Sequence, residues 1–274
     1  MTILQAILIA LIEGLTEFLP ISSTAHMVFL SAFFQISNDE FVKMFEVSIQ
    51  FGAILAVVFL YWKKFFDFKK INFYLKLGFA VIPALVLGYL LDDYIESVLE
   101  KPLPIALVLI AGGIVLLFID NYFKNPQIHR EEDISIPVAV KIGFWQCLAM
   151  MPGTSRAAAS IIGGMQQKLS REAAAEFSFF LAVPTMLAVT AYSVIVKDWT
   201  VQGQNLKGYE MIFSDNRHLL LFLLGNAVAF VVAVLAIKFF IGMIKKYGFR
   251  FWGYYRIAAG ILVLILIWAG LLQS

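Results

Sequence analysis

Glu13 and Glu17 stand four residues apart in an otherwise apolar stretch. That spacing puts both carboxylates on one helix face, about 6 Å apart along the axis. Acids at membrane depth are costly and mark a functional site by default. As hard oxygen donors the pair suits Mg²⁺ or Ca²⁺; the alternative is a shared proton, with the two acids titrating as a unit. The blander assignment is a structural pair between helices, or exposure near the headgroups. Ser22, Ser23 and Thr24 follow, with His26 one turn further on. Ser22 and His26 are i,i+4 and Ser23 and His26 are i,i+3, so either hydroxyl can approach the imidazole. A serine acts as a nucleophile only beside a base, although the serines equally read as helix N-caps and His26 as a satisfied structural histidine. The second cluster is Pro152-Gly153-Thr154-Ser155-Arg156. A deep arginine needs an anion, either a carboxylate or a substrate phosphate. The small residues before it expose backbone N–H groups at a helix start, where anions bind. Carboxylates, hydroxyls, a histidine, an arginine and two helix N-termini together describe a phosphate or diphosphate site, and an ion pair between Arg156 and Glu13 or Glu17 is compatible with it at rest. Gln50 and Gln146 interrupt apolar faces and read as groups that orient the acids or the substrate. Glu46, Ser48, Glu176 and Ser178 either line the same cavity or bond between packed helices.

The elements that must position these residues are membrane helices. The chain is 61% hydrophobic and 15% charged, too apolar and too poor in charge to cover a water-facing surface, given about 45–50% and 25% in soluble domains. A net charge of +2 in short clusters gives no sign of nucleic acid. Cys147 stands alone, which excludes an internal disulfide and a thiolate metal cluster. Long Phe-, Leu- and Ile-rich runs favour helices over an alternating barrel pattern. No basic region precedes the first apolar stretch and Glu13 interrupts it, so a cleavable signal peptide is not expected. Six stretches reach the roughly 20 apolar residues a span needs: about 43–62, 72–91, 103–120, 174–196, 218–241 and 250–272. The lysines at 63, 64, 69 and 70, and Lys245, Lys246 and Arg250, place their loops in the cytoplasm. The acidic loop Asp92-Asp93-Tyr94-Ile95-Glu96 belongs outside, as does the C-terminus. The loop 121–136 is mixed in charge and gives no vote.

Two further apolar stretches, 2–36 and 136–168, are broken at Pro20-Ile21-Ser22-Ser23 and at Pro152 to Arg156. Each reads as a re-entrant helical hairpin whose broken tip lines a cavity, the setting in which irregular backbone is tolerated at membrane depth. The halves repeat: Pro20 and Ser23 match Pro152 and Ser155, Glu46-Val47-Ser48 matches Glu176-Phe177-Ser178, and Ile110 to Ile114 matches Ile257 to Ile261. Gly112, Gly113 and Gly260 in the last pair read as close-packing positions. One hairpin plus three spans per unit makes the second copy inverted, so the two tips meet near the midplane. The expected fold is therefore an all-α integral membrane protein with an inverted-topology repeat, six transmembrane helices plus two re-entrant helical hairpins. It forms one membrane domain over 1–274, with repeat one about 1–125 and repeat two about 136–274. Inverted repeats with broken helices recur in transporters.

Glu13-Gly14-Leu15-Thr16-Glu17-Phe18-Leu19-Pro20-Ile21-Ser22-Ser23-Thr24-Ala25-His26 and Pro152-Gly153-Thr154-Ser155-Arg156 closely resemble the two signature regions of the bacterial undecaprenyl-diphosphatases, also called bacitracin-resistance proteins. The resemblance runs the full length. It implies a multi-pass enzyme of the bacterial plasma (inner) membrane that removes one phosphate from undecaprenyl diphosphate on the outer, periplasmic face. That regenerates the lipid carrier for cell-wall synthesis and raises tolerance of bacitracin. It also implies a divalent cation. Ala25 stands where the family has glycine, and Ala157-Ala158 where it has Ser-Gly, so no role for that serine carries over. On this reading Glu13 and Glu17 hold Mg²⁺ or Ca²⁺ and Arg156 neutralises the transferred phosphoryl group. His26 is the general base for Ser23, with Ser22 or a direct water as the other nucleophiles. Ser22, Thr24, Gln50, Gln146, Gly153, Thr154, Ser155 and Arg156 are the candidate substrate contacts. The partners are the lipid diphosphate and the bilayer, with a homodimer left open. The rival is a polyprenyl-phosphate transporter, which needs the phosphate site but no nucleophile beside a base.

Overall fold

Local chemistry sets the helix boundaries. Helix α1 (Ile3–Thr16) opens on a capping box, the Thr2 hydroxyl accepting from Gln5 N–H while the Gln5 side chain accepts from Thr2 N–H. It is followed by α2 (Ser23–Phe33), α3 (Glu40–Ser48, capped by Asp39), α4 (Gln50–Leu60), α5 (Trp62–Phe65) and α6 (Ile71–Leu90). Next come α7 (Pro102–Tyr122), whose proline sits in the first turn where its missing N–H costs nothing, α8 (Ile136–Gln146), α9 (Arg156–Gln166) and α10 (Arg171–Ala191). The computed structural model describes residues 1–91 and 101–272, without the side chain of Lys245. The acidic loop assigned above to the outer face lies outside the described residues.

Between α10 and the last helices, the expected polar loop carries a small antiparallel hairpin, β1 (Asp198–Val201) and β2 (Gln204–Lys207). Its two-residue turn, Gln202-Gly203, has positive φ at both positions (50° and 82°), the backbone that matches strand twist. Then come α11 (Gly208–Phe213), α12 (Asn216–Tyr247) and α13 (Arg250–Trp268). Among the described residues, six segments are long and apolar enough to cross a membrane: Glu40–Leu60, Ile71–Leu90, Pro102–Tyr122, Arg171–Val196, Asn216–Ile244 and Arg250–Trp268. They coincide with the six stretches read from sequence, except that the first is jointed at Ile49 into α3 and α4.

Packing pairs the short helices first: α1 with α2, and α8 with α9. Each pair leans on a long helix from the other half of the chain, α1 on α12 and α8 on α6. Gly14 and Gly143 stand at these two crossings. A Cβ on Gly14 would sit 2.7 Å from the Ala229 carbonyl, and one on Gly143 would run into the Ala80 backbone. Small residues let membrane helices approach this closely. The remaining large contacts are α7 with α13, α4 with α12, α9 with α10, α4 with α10 and α6 with α10. Gly113 and Gly253 face each other in the α7–α13 crossing, as expected of close-packing positions.

Polar contacts gather at two opposite ends. At one, Lys64 and Lys70 pair with Glu131 and Glu132, Arg171 pairs with Asp120, Phe249 N–H donates to Asp120, and Ile128 bridges Leu169. At the other, the N-terminal amine lies 3.9 Å from Asp39, Arg217 donates to the Met1 carbonyl, and Phe41 stacks on His218. The α1–α2 unit thus starts and ends at one end, and the α8–α9 unit starts and ends at the other.

Candidate active site

Both breaks close on a serine in a left-handed backbone conformation. Ser22 has φ 70° and ψ 92°, and Ser155 has φ 74° and ψ 118°. Such a conformation costs a non-glycine residue about 1–3 kcal/mol and persists only where the surroundings over-determine it. Each serine then caps the helix it starts, its hydroxyl accepting from Ala25 N–H or Ala158 N–H. The correspondence between the halves is therefore shifted by one residue from the sequence alignment: Ser22, not Ser23, is the counterpart of Ser155. Ser23 and Arg156 become matched first residues of their helices.

Those two side chains meet on one carboxylate. Arg156 donates from Nη2 (2.9 Å) and Nε (3.3 Å) to Glu17 Oε1, while Ser23 Oγ donates to Glu17 Oε2 at 2.6 Å. Nη1 of Arg156 donates to the Ser178 carbonyl on α10 at 2.9 Å. Glu17, Ser23 and Arg156 are all buried. Phe18 lies beneath the pair, with the guanidinium 5.9 Å from its ring and Phe179 packed edge-on against it. Low dielectric strengthens this bridge, and removing one partner strands the other charge.

Glu13 is completely buried one turn behind, and neither of its carboxylate oxygens has a hydrogen-bond partner. Buried polar atoms without partners are rare in proteins and call for an explanation. A divalent cation held by Glu13 and Glu17 fits that requirement. No cluster of three His, Cys, Asp or Glu exists among the described residues, and two carboxylates completed by phosphate oxygens is an arrangement suited to Mg²⁺.

His26 departs from expectation. Its Nδ1 lies 2.7 Å from the Ser22 carbonyl, and its Nε2 lies 2.9 Å from the Tyr255 hydroxyl, whose ring it stacks on. A carbonyl can only accept, so Nδ1 carries a proton, and in a neutral ring Nε2 then accepts from the Tyr255 hydroxyl. The imidazole therefore does not bond Ser23, although i,i+3 spacing allows it; the carbonyl of its own helix cap is the nearer partner. Gln146 is held by Thr185 (3.1 Å) rather than by the acids. Gln50 is buried in the first turn of α4 without a bond to Glu13, Glu17 or Arg156. Ser155 also donates to the Leu19 carbonyl, tying the breaks together. The carbonyls of Gly153 and Thr154 point to Arg256, and Thr24 is half-buried at the start of α2. Among the flanking polar residues, Ser178 joins Arg156, Ser48 turns back to the Met44 carbonyl, and one Glu46 oxygen is buried without a partner. The second break lines a groove of about 560 Å³, where Thr154 and Ala158 face Gly112, Phe118 and Trp145.

The geometry joins an acid, a hydroxyl and a guanidinium from two distant segments. The family described as "Bacitracin resistance protein BacA" matches residues 6–262. The chain belongs to this family. It is 51% identical to the undecaprenyl-diphosphatase of Flavobacterium johnsoniae over 97% of this chain and 96% of the relative. It is 50% identical to that of Flavobacterium psychrophilum over 97% and 96%, and 46% identical to that of Porphyromonas gingivalis over 98% of each.

Tyr255 and Arg256 escaped the reading from sequence. The signal was available for the second: an arginine inside a span is a functional candidate on cost alone. No motif surrounds Tyr255, and only the fold brings it to His26.

Proposed function

We propose that this BacA-family chain hydrolyses undecaprenyl diphosphate to undecaprenyl phosphate and inorganic phosphate, recycling the lipid carrier and conferring bacitracin resistance. The bridge from Arg156 through Glu17 to Ser23 carries this reading, because a hydroxyl, a carboxylate and a guanidinium, the groups that attack on a phosphate calls for, meet at one point between the breaks. The relatives named undecaprenyl-diphosphatase support hydrolysis over transport.

In the proposed sequence Ser23 Oγ attacks the terminal phosphorus and its proton passes to Glu17 Oε2. The bond from that phosphorus to the bridging oxygen breaks, and undecaprenyl phosphate leaves. A water deprotonated at His26 Nε2 then attacks the phosphoserine, and Ser23 recovers its proton from Glu17 as inorganic phosphate departs. Arg156 moves from Glu17 towards the phosphoryl oxygens as negative charge builds there, a form of stabilisation worth about 10²–10³ in rate per donor. Glu13, with the Glu17 Oε1 that Arg156 releases, would hold a divalent cation, which would supply charge neutralisation for the diphosphate. Direct attack by water, with Ser23 only binding, is the simpler variant.

Two finer features belong to the same proposal. The α1–α2 and α8–α9 units are re-entrant hairpins from opposite faces, related as an inverted repeat of about 1–125 and 136–274. Their chain ends at opposite ends of the bundle support this, as does the reciprocal packing of α1 on α12 and α8 on α6. The lysine-rich end faces the cytoplasm, which directs the first hairpin, and with it His26, towards the outer face.

The test is phosphate release from a long-chain prenyl diphosphate by the purified protein in detergent, with and without chelator. Release should stop with chelator and return with Mg²⁺ or Ca²⁺. A Glu13→Gln variant should need at least about 10-fold more cation, since loss of even an outer-shell partner costs about 10–100-fold. Release indifferent to both treatments would remove the cation from the site.

A further inference from the structure

Arg256 is an arginine in the middle of α13, 1% exposed, with no carboxylate beside it among its hydrogen-bond partners. A guanidinium has five N–H donors. Here they reach five main-chain carbonyls: Nε to Leu109 (3.3 Å), Nη1 to Pro20 (3.1 Å) and Thr154 (2.9 Å), and Nη2 to Gly153 (2.7 Å) and Val108 (3.4 Å). Its donors are thus fully engaged and none is left for a phosphate. Pro20 and Gly153 are matched positions of the two breaks, each two residues before the left-handed capping serine.

We propose that Arg256 is a positioning residue that sets the register of the two breaks, and so the meeting of Ser23 and Arg156 on Glu17. It binds the carbonyls on the near side of each kink. The N–H groups and first-turn side chains on the far side are thereby aimed together at the reacting phosphorus. Its charge also offsets the partial negative charge of five converging carbonyl oxygens, which otherwise repel one another in a dry interior. Gly112 supplies independent support. A Cβ there would lie 2.8 Å from the Arg256 guanidinium carbon, so this glycine leaves room for the side chain and not only for helix packing. A lysine cannot substitute, having three donors on one nitrogen in place of five in a planar fork.

This inference rests on the two-break site above, and the experiment separates the two. Purified wild type, Arg256→Lys, Arg256→Ala, Gly112→Ala and Gly112→Ala/Arg256→Ala are assayed for phosphate release from a prenyl diphosphate, with thermal unfolding followed in parallel and Glu17→Ala as the site control. Misregister should act on turnover: Arg256→Lys keeps the charge but loses kcat about 100-fold, the penalty for about 1 Å of misplacement, with KM within about threefold. Gly112→Ala, which displaces the guanidinium without removing it, should lose about 10-fold alone and nothing further in the Arg256→Ala background, the signature of coupled residues. Arg256→Lys turning over within threefold of wild type would overturn the proposal, since charge alone would then suffice. So would Gly112→Ala acting equally in both backgrounds, or a rise in KM that accounts for the whole loss, which is the mark of direct phosphate binding. If both Arg256 variants fail to fold, Gly112→Ala decides: folded with normal kcat refutes positioning, and folded with reduced kcat supports it. Should Glu17→Ala retain wild-type turnover, the site reading fails by itself, whatever Arg256 does.

Discussion

The two breaks share a backbone and differ in nearly every side chain that does chemistry. Ser22 and Ser155 adopt the same left-handed cap, and Pro20 and Gly153 both give their carbonyls to Arg256. Around that common frame the first break carries Glu13, Glu17, Ser23 and His26. At the matched positions the second carries Gln146, Met150, Arg156 and Ala159. One tip holds two acids, a hydroxyl and an imidazole; the other holds a guanidinium. A single kinked hairpin offers a helix start and little else, because acids packed beside one another in a dry site need a counter-charge. The second break supplies a tip on which that charge can sit, about 3 Å from the first tip's carboxylate. The bridge at Glu17 is where the difference between the tips becomes a site.

Removing Glu17 should therefore break both halves at once. Glu17→Ala is expected to lower phosphate release by about 10⁴-fold, at the upper end for loss of a general base. It should also destabilise the protein by about 3–5 kcal/mol, since Arg156 is left buried without its carboxylate. Loss of activity with an unchanged unfolding temperature would show that Arg156 finds another partner in the resting state, contrary to the bridge described. From the other tip, Arg156→Lys keeps the charge but not the fork that spans Glu17 Oε1 and the Ser178 carbonyl. A fall of about 10²–10³ in kcat is expected. Near-normal turnover with lysine would mean that the second tip contributes charge without geometry.

The asymmetry at His26 and Ala159 gives a smaller effect and a sharper question. His26→Ala should lose turnover about 10²-fold, the low end for acid–base catalysis, and still fold, because its hydrogen bonds go to one carbonyl and one half-exposed tyrosine. Placing a histidine on the second tip, as Ala159→His in the His26→Ala background, should restore nothing, since no acid lies on that tip. Recovery of release would make the tips interchangeable and undo the division of labour.

What could be read from the residues follows the same division. The spans and both breaks were legible because apolar length and prolines constrain them strongly, and unmatched charge pointed Arg156 to Glu13 or Glu17 without choosing between them. The bond between His26 and Ser23 was not: spacing fixes which residues are neighbours on a helix, while the rotamer is chosen by the nearest acceptor, here the Ser22 carbonyl. Gln146 likewise reads as a polar group facing the acids until Thr185, from a helix nearly forty residues on, claims it. Arg256 stands out by its cost inside a span, but what it binds was hidden. Its partners are all main-chain carbonyls, three at the breaks and two inside α7, and main-chain carbonyls leave no mark in the side-chain pattern.

The smallest expected effect distinguishes the two serines of the first break. Ser22 caps α2 and Ser23 faces Glu17, so a Ser22→Gly variant loses one weak cap bond but relieves a positive φ. Replacing a capping serine by glycine costs only a few tenths of a kcal/mol, and release of the left-handed strain offsets it by about 1 kcal/mol. Stability should accordingly stay within about 1 kcal/mol of wild type and phosphate release within about threefold. Ser23→Ala, by contrast, should abolish any phosphoserine detectable by mass spectrometry after rapid quenching, and with it most of the turnover. If Ser22→Gly is the variant that stops release while Ser23→Ala is tolerated, the nucleophile sits on the capping residue. The matched Ser155, which has the same backbone and no acid beside it, then becomes the control: Ser155→Gly should leave release within the same threefold band, because its hydroxyl serves only the Ala158 cap and the Leu19 carbonyl.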